Sequence, residues 1–129
     1  VWRLLDANLN RAREGLRVLE DTCRFQGTSS LFGELRALRH ALDRITRRAY
    51  PKLIDARDSV GDAGRTMREP ARRPWEGLVP ANFRRAQEAV RVLEEYGKVF
   101  APSAAVKFKA VRYGLYSAEK RFRLGGKRS

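Results

Sequence analysis

A twenty-residue pattern of this chain occurs twice. Asp6 to Phe25 reads DANLNRAREGLRVLEDTCRF, and Pro80 to Val99 reads PANFRRAQEAVRVLEEYGKV. At an offset of 74, nine of the twenty pairs are identical: Ala7/Ala81, Asn8/Asn82, Arg11/Arg85, Ala12/Ala86, Glu14/Glu88, Arg17/Arg91, Val18/Val92, Leu19/Leu93 and Glu20/Glu94. Average residue usage gives roughly one or two such identities by chance. After a one-residue slip, Glu34–Arg48 aligns with Lys107–Arg121 at an offset of 73, with Ala37/Ala110, Arg39/Arg112, Leu42/Leu115 and Arg48/Arg121 identical. A loop between the matched segments absorbs the slip. Two copies are too few for a solenoid, which needs about three or more units to bury its core. A duplicated helical hairpin is the arrangement that two copies of this kind predict.

Apolar spacing makes both parts of each copy helical. Leu5, Leu9, Ala12, Leu16, Leu19 and Cys23 recur at intervals of three and four, as do Phe83, Ala86, Val90, Leu93 and Gly97. The second parts repeat the pattern, with Leu35, Leu38, Leu42, Ile45 and Ala49 matched by Phe108, Val111, Leu115, Ala118 and Phe122. Such spacing lines one face of a helix. Gly27 to Ser30 supply a turn and a cap before the second helix, Pro51 stops it, Pro80 starts the third, and Pro102-Ser103 separates the third from the fourth. The expected fold is all-α: a four-helix bundle of two duplicated hairpins related by a pseudo-two-fold axis. Helices are expected near 4–25, 30–49, 81–99 and 103–123. One helical domain then covers 1–123, with copies at 6–48 and 80–121, a long crossover loop at 50–79, and a flexible tail or linker at 124–129.

Composition bounds the function. In 129 residues the chain carries 28 Lys and Arg against 15 Asp and Glu, a net charge of +13. Of the basic residues 22 are Arg, whose planar fork suits phosphate and carboxylate better than the point charge of Lys does. Anionic partners are indicated, either phosphorylated small molecules or nucleic acid. Against nucleic acid, the basic residues spread over all four helices and interleave with Glu, rather than gathering on one stripe. A single cysteine and a single histidine exclude a disulfide framework, a cysteine-rich zinc site, a multi-histidine metal site and a Ser/His/Asp or Cys/His catalytic set. Cys23 falls on the apolar stripe and reads as core. His40 takes the place of Tyr113 in the alignment and reads as a wall residue. No apolar run reaches the roughly 20 residues of a membrane span, no signal peptide is visible, and the cytoplasm is the expected compartment.

The polar residues of the copies narrow this further. Asn8, Arg11, Glu14, Arg17 and Glu20 recur as Asn82, Arg85, Glu88, Arg91 and Glu94. One reading is a ladder of i,i+3 ion pairs worth about 0.2–0.5 kcal/mol each; the other is ligand contact. Asn8 and Asn82 flank the apolar stripe, and a partly buried amide needs partners. The crossover holds Asp55, Arg57, Asp58, Gly61, Asp62, Gly64 and Arg65. In such a loop glycine lets backbone N–H groups approach, arginine takes phosphate oxygens and aspartate holds a hard cation such as Mg²⁺. The same residues are also ordinary turn chemistry. Neither a Walker P-loop nor a GxGxxG fingerprint occurs.

Four ordered motifs carry a family resemblance: NLNRAREGLRVLED, LIDARDSVGDAGR, ANFRRAQEAVRVLEEYGK and FKAVRYGLYSAEKR. Over about residues 3–123 the chain resembles the helical domain often fused to the N-terminus of thiamin-phosphate synthase. That family is regarded as a second, non-ribokinase type of hydroxymethylpyrimidine-phosphate kinase. The resemblance implies a transferase of thiamin biosynthesis that uses ATP and Mg²⁺ to convert hydroxymethylpyrimidine phosphate to the pyrophosphate. It also implies a synthase barrel as a partner in cis or in trans, so that the chain is a stand-alone form or part of a fusion; a homodimer is compatible with both.

The implied chemistry suits the composition. The acceptor is a phosphate oxygen, largely ionised at pH 7 because its second pKa is about 6, so a strong general base is dispensable. What the reaction needs is charge neutralisation and in-line positioning of two anions. The expected catalytic residues are Asp58, Asp62 and Arg57, with Asp58, Asp62 and Glu88 on the metal. Substrate and phosphate contacts are expected from Asn8, Arg11, Arg17, Arg65, Asn82, Arg85, Arg91, Lys98, Arg112 and Tyr113. Each copy is expected to supply one anion site. Two rival readings are a non-catalytic accessory or dimerisation domain of a thiamin-phosphate synthase and a basic nucleic-acid-binding bundle.

Overall fold

A computed structural model describes residues 1–26, 29–70 and 77–125. Among them run α1 (Trp2–Phe25), α2 (Ser29–Thr46), α3 (Tyr50–Ala56), α4 (Leu78–Phe100) and α5 (Pro102–Arg123), with a 3-10 helix at Ala63–Thr66 in the crossover. No strand occurs among the described residues, and none of their helices is long and apolar enough to cross a membrane.

The apolar stripes decide the packing. Leu9, Ala12, Leu16, Leu19 and Cys23 of α1 are buried, as are Phe83, Ala86, Val90 and Leu93 of α4. Leu35 and Leu42 of α2 join Phe108, Val111, Leu115 and Ala118 of α5 in the same core. Helix α1 packs on α4 and α2, and α5 packs on α4 and α2. The N-terminal turns of α1 (Trp2, Leu5) and the C-terminal turns of α4 (Tyr96, Phe100) line one apolar cavity, so these two helices run antiparallel. Small residues let them approach closely: a Cβ on Gly15 would lie 3.2 Å from the Asn82 carbonyl oxygen and 3.5 Å from the Ala86 Cβ.

The crossover differs from the expectation. Its first seven residues form α3, which packs on α1 through buried Leu53. Helix α2 ends at Thr46 rather than near 49, and Pro51 sits in the first turn of α3 instead of stopping α2. Proline is tolerated there because the first N–H groups of a helix have no acceptor within it. The same reason corrects the start of α4: it begins at Leu78, and Pro80 occupies its third position. Ala101 alone separates α4 from α5, with Pro102 opening α5. Ser29 and Ser30 belong to α2; the rest of the expected turn, Gly27 and Thr28, and most of the tail lie outside the described residues.

The i,i+3 ladder is not what the rungs make. Arg17 pairs with Asp21 and Arg91 with Glu95, four residues on, at 3.3 Å each. Glu20 and Glu94 leave the helix surface altogether. Glu20 accepts two hydrogen bonds from Arg39 of α2, from Nε at 2.5 Å and Nη2 at 3.0 Å. Glu94 accepts two from Arg112 of α5, at 2.6 and 3.2 Å. The reason is position: Glu20 follows Leu19 and Glu94 follows Leu93, so each carboxylate is carried under the neighbouring helix and must be met there by a fork of donors. Arg112 holds Glu94 below the usual glutamate pKa, against the opposing effect of burial.

Two outcomes are expected. Leu93→Ala, at a fully packed position, costs about 2–5 kcal/mol in denaturant titration. Glu94 is depressed in the folded state, so its stabilisation is complete above about 4.5, its ordinary value, and is lost as pH falls through the lower folded value. A Glu94→Gln variant, melted between pH 7 and pH 3, is expected to be destabilised at neutral pH and to lose less further stability than the parent on acidification.

Candidate functional site

Two adjoining grooves collect many of the expected residues. The first, of about 450 Å³, lies between the N-terminal half of α1 and the segment after α3. It is lined by Asn8, Arg11, Arg57, Asp58 and Asp62, all five expected, together with Arg3, Asp6 and Asn10. The second, of about 530 Å³, lies between α1 and α4 and is lined by Asn8, Arg11, Arg84, Arg85 and Glu88. Asn8 and Arg11 form the wall the two grooves share. Arg11 of the first copy and Arg85 of the second line the same groove.

Local structure fixes these side chains. Asn8 Nδ2 donates to the Leu4 carbonyl at 2.9 Å, and Asn82 Nδ2 donates to the Leu78 carbonyl at 2.9 Å. Each asparagine thus gives one amide N–H to its own helix, one turn back. On Asn8 the amide oxygen accepts from Arg11 Nη1 at 3.5 Å, which leans the guanidinium along the groove wall. Glu69 of the crossover stands 3.9 Å from Arg85.

The crossover is anchored by a residue that the sequence did not single out. Arg57 donates from Nε and Nη2 to the two carboxylate oxygens of Asp6, both at 2.8 Å. Asp6 is buried, with 5% of its side chain exposed, while Arg57 lies over it at 39%. Asp6 first, and Tyr50 after it, hold the Arg57 guanidinium above the ordinary arginine pKa. Arg57 is therefore tied to α1 as well as lining the groove. The available signal was a carboxylate set between Leu5 and Leu9 on the apolar side of α1, at the place where the second copy has Pro80.

Asp58 and Asp62 shape the loop as well as lining the groove. Asp58 Oδ1 accepts from the Gly61 N–H at 2.7 Å, and Asp62 Oδ1 caps the 3-10 helix by accepting from the Gly64 N–H at 3.1 Å. Glu88 lines the other groove, so the three carboxylates expected on a metal are not gathered. Among the described residues no three acidic, histidine or cysteine side chains cluster to hold a metal. The donor set fits a cation that arrives already bound to phosphates, for which about one or two protein carboxylates suffice.

The remaining expected residues lie elsewhere. Arg112 is buried against Glu94 and also reaches the Tyr116 hydroxyl. Asn82 is buried, Arg17 and Arg91 are exposed in their i,i+4 pairs, and Lys98 donates to Glu95 at 2.6 Å. Arg65 donates to the Ser59 carbonyl at 3.4 Å. Tyr113 is exposed, edge-to-face with Tyr116 and beneath Arg112 and Lys109. None of these seven lines either groove.

Known proteins bear on this arrangement. The thiamine-phosphate synthase of a Synechococcus strain is 46% identical over 123 residues, which take in 92% of this chain and 34% of that protein. Those of Nostoc punctiforme and Prochlorococcus marinus are 43% and 44% identical over the same shares of each chain. The chain spans about a third of the length of these curated relatives. No solved structure matches it. A family match covers residues 3–121, including α1 through most of α5 and both grooves, and the chain belongs to the ThiD2 family.

Proposed function

We propose that this chain is a hydroxymethylpyrimidine-phosphate kinase of thiamin biosynthesis, built as a duplicated four-helix bundle and working in the cytoplasm. The carrying observation is the pair of grooves that share Asn8 and Arg11. Transfer of the ATP γ-phosphoryl group to a monophosphate brings two polyanions together, and the grooves offer arginines on both sides of a common wall. An acceptor phosphate oxygen attacks the γ-phosphorus, the bond to the β–γ bridging oxygen breaks, and ADP leaves with that electron pair. The acceptor is already ionised, so no base is required of the chain. Its residues bind and orient: Arg57 and Arg11 on one phosphate group, Arg85 and Arg11 on the other. Asp58 and Asp62 are the carboxylates that would hold a Mg²⁺ brought by the nucleotide, and the ion would supply charge neutralisation at its phosphates.

The second reading is an accessory domain of a thiamine-phosphate synthase. It is favoured by one fact, that the relatives bearing that name are about three times as long. Turnover of ATP with hydroxymethylpyrimidine phosphate by the purified chain is expected under the first reading and absent under the second.

Groove geometry also orders the variants. Arg85→Ala is expected to raise the KM for one substrate, Arg57→Ala that for the other, and Arg11→Ala both. Each rise is roughly tenfold or more, the consequence of losing a charge-assisted hydrogen bond. Steady-state kinetics with each substrate varied in turn reads the pattern. KM values that stay at those of the parent in all three variants would remove the grooves from the reaction.

A further inference from the structure

We propose that Asp6 is a positioning residue: it holds the Arg57 guanidinium in one orientation, so that the donors it leaves over serve a phosphate group in the first groove. This inference rests on the phosphate-binding reading of that groove. A guanidinium has five N–H donors in a fixed plane. Nε and Nη2 each give one to Asp6. At least two donors are left, on the outer edge of the fork, where Arg57 lines the groove beside Arg3 and Arg11. Arg57 stands only one residue beyond the end of α3, and without Asp6 its long side chain would be free to turn into solvent.

The pair also marks where the two halves stop being alike. Asn8 and Arg11 recur at the same positions in the second copy, but Asp6 is replaced by Pro80 and Arg57 belongs to the crossover. The Asp6–Arg57 clip therefore equips only one side of the shared wall. A purely structural strap would need the pair but not the orientation of its outer edge. Charge alone makes the opposite forecast, since removing a carboxylate beside a phosphate site strengthens anion binding. Asp6→Asn is nearly isosteric and separates these cases by sign.

The test is calorimetric titration with inorganic pyrophosphate of the parent, Asp6→Asn, Arg57→Ala, the double variant and Arg57→Lys, with helical content and melting temperature measured on each. Asp6→Asn and Arg57→Ala are each expected to weaken binding by roughly tenfold or more, the loss of one oriented charge-assisted contact. The double variant should bind no more weakly than Arg57→Ala alone, because Asp6 acts through Arg57. Arg57→Lys keeps the charge but loses the fork, and should weaken binding to a similar degree; should Asp6→Asn fail to fold, this variant carries the test alone. Unchanged or tighter binding by a folded Asp6→Asn, multiplicative losses in the double variant, or parent-like binding by Arg57→Lys would each overturn the inference. If the parent itself binds no pyrophosphate, the phosphate reading of the groove falls and this inference falls with it.

Discussion

A carboxylate taken out of water has to be met by donors, and Glu20 and Glu94 impose that condition on the whole arrangement of helices. Each lies next to a leucine of the apolar stripe and is nearly inaccessible. Each is met by an arginine of the following helix, Arg39 or Arg112, through both carboxylate oxygens. Apolar contacts alone leave the rotation and register of a helix pair loosely determined. A planar fork that must reach both oxygens of one carboxylate accepts a much narrower set of positions. Such pairs add little net stability over an apolar replacement, and the register role is their best-attested use. In this chain they act within α1–α2 and within α4–α5. The long α1–α4 contact is then left to apolar and small residues, which frees the outer polar faces of those two helices to line the grooves.

Much of this was legible in the sequence, for reasons that can be named. The stripe residues Leu19, Leu42, Leu93 and Leu115 are all buried because three-and-four spacing leaves a helix one apolar side to cover. Arg39 and Arg112 were visible as an identical pair, but periodicity cannot tell an arginine facing solvent from one lying under a neighbouring helix. Arg112 was therefore expected on a ligand and is found on Glu94. Helix α3 was missed because seven residues are too few to establish a period, and its proline resembled a stop more than a first turn. Asp6 was not legible because it does not recur: the second copy has Pro80 in its place.

The groove residues divide along the same line. Asn8, Arg11, Arg85 and Glu88 come from recurring positions and were expected at a site. Their meeting on one wall was not legible, because it depends on the antiparallel crossing of α1 and α4 near Gly15 and Ala86. No spacing within a single copy encodes that crossing. Arg57, Asp58 and Asp62 reach the same wall by another route: α3 turns the chain back onto α1 and hands it on to a loop whose aspartates tie down their own glycine N–H groups. One side of the candidate site thus comes from positions that recur along the sequence, and the other from the segment that connects them.

Sequence separation gives these contacts an order of assembly. The pairs Glu20–Arg39 and Glu94–Arg112 span 19 and 18 residues, whereas Asp6–Arg57 spans 51. Closing the longer loop costs roughly 0.9 kcal/mol more chain entropy than closing the shorter ones. Each hairpin can zip locally, with its ion pair as a latch, before the chain between them has found its place. The clip over the groove closes the longest of the three loops and, with Arg57 partly in water, costs less to release than the two more deeply buried pairs. Of the three pairs, the one at the edge of the site is thus the one whose closure costs the chain most and whose arginine water reaches most.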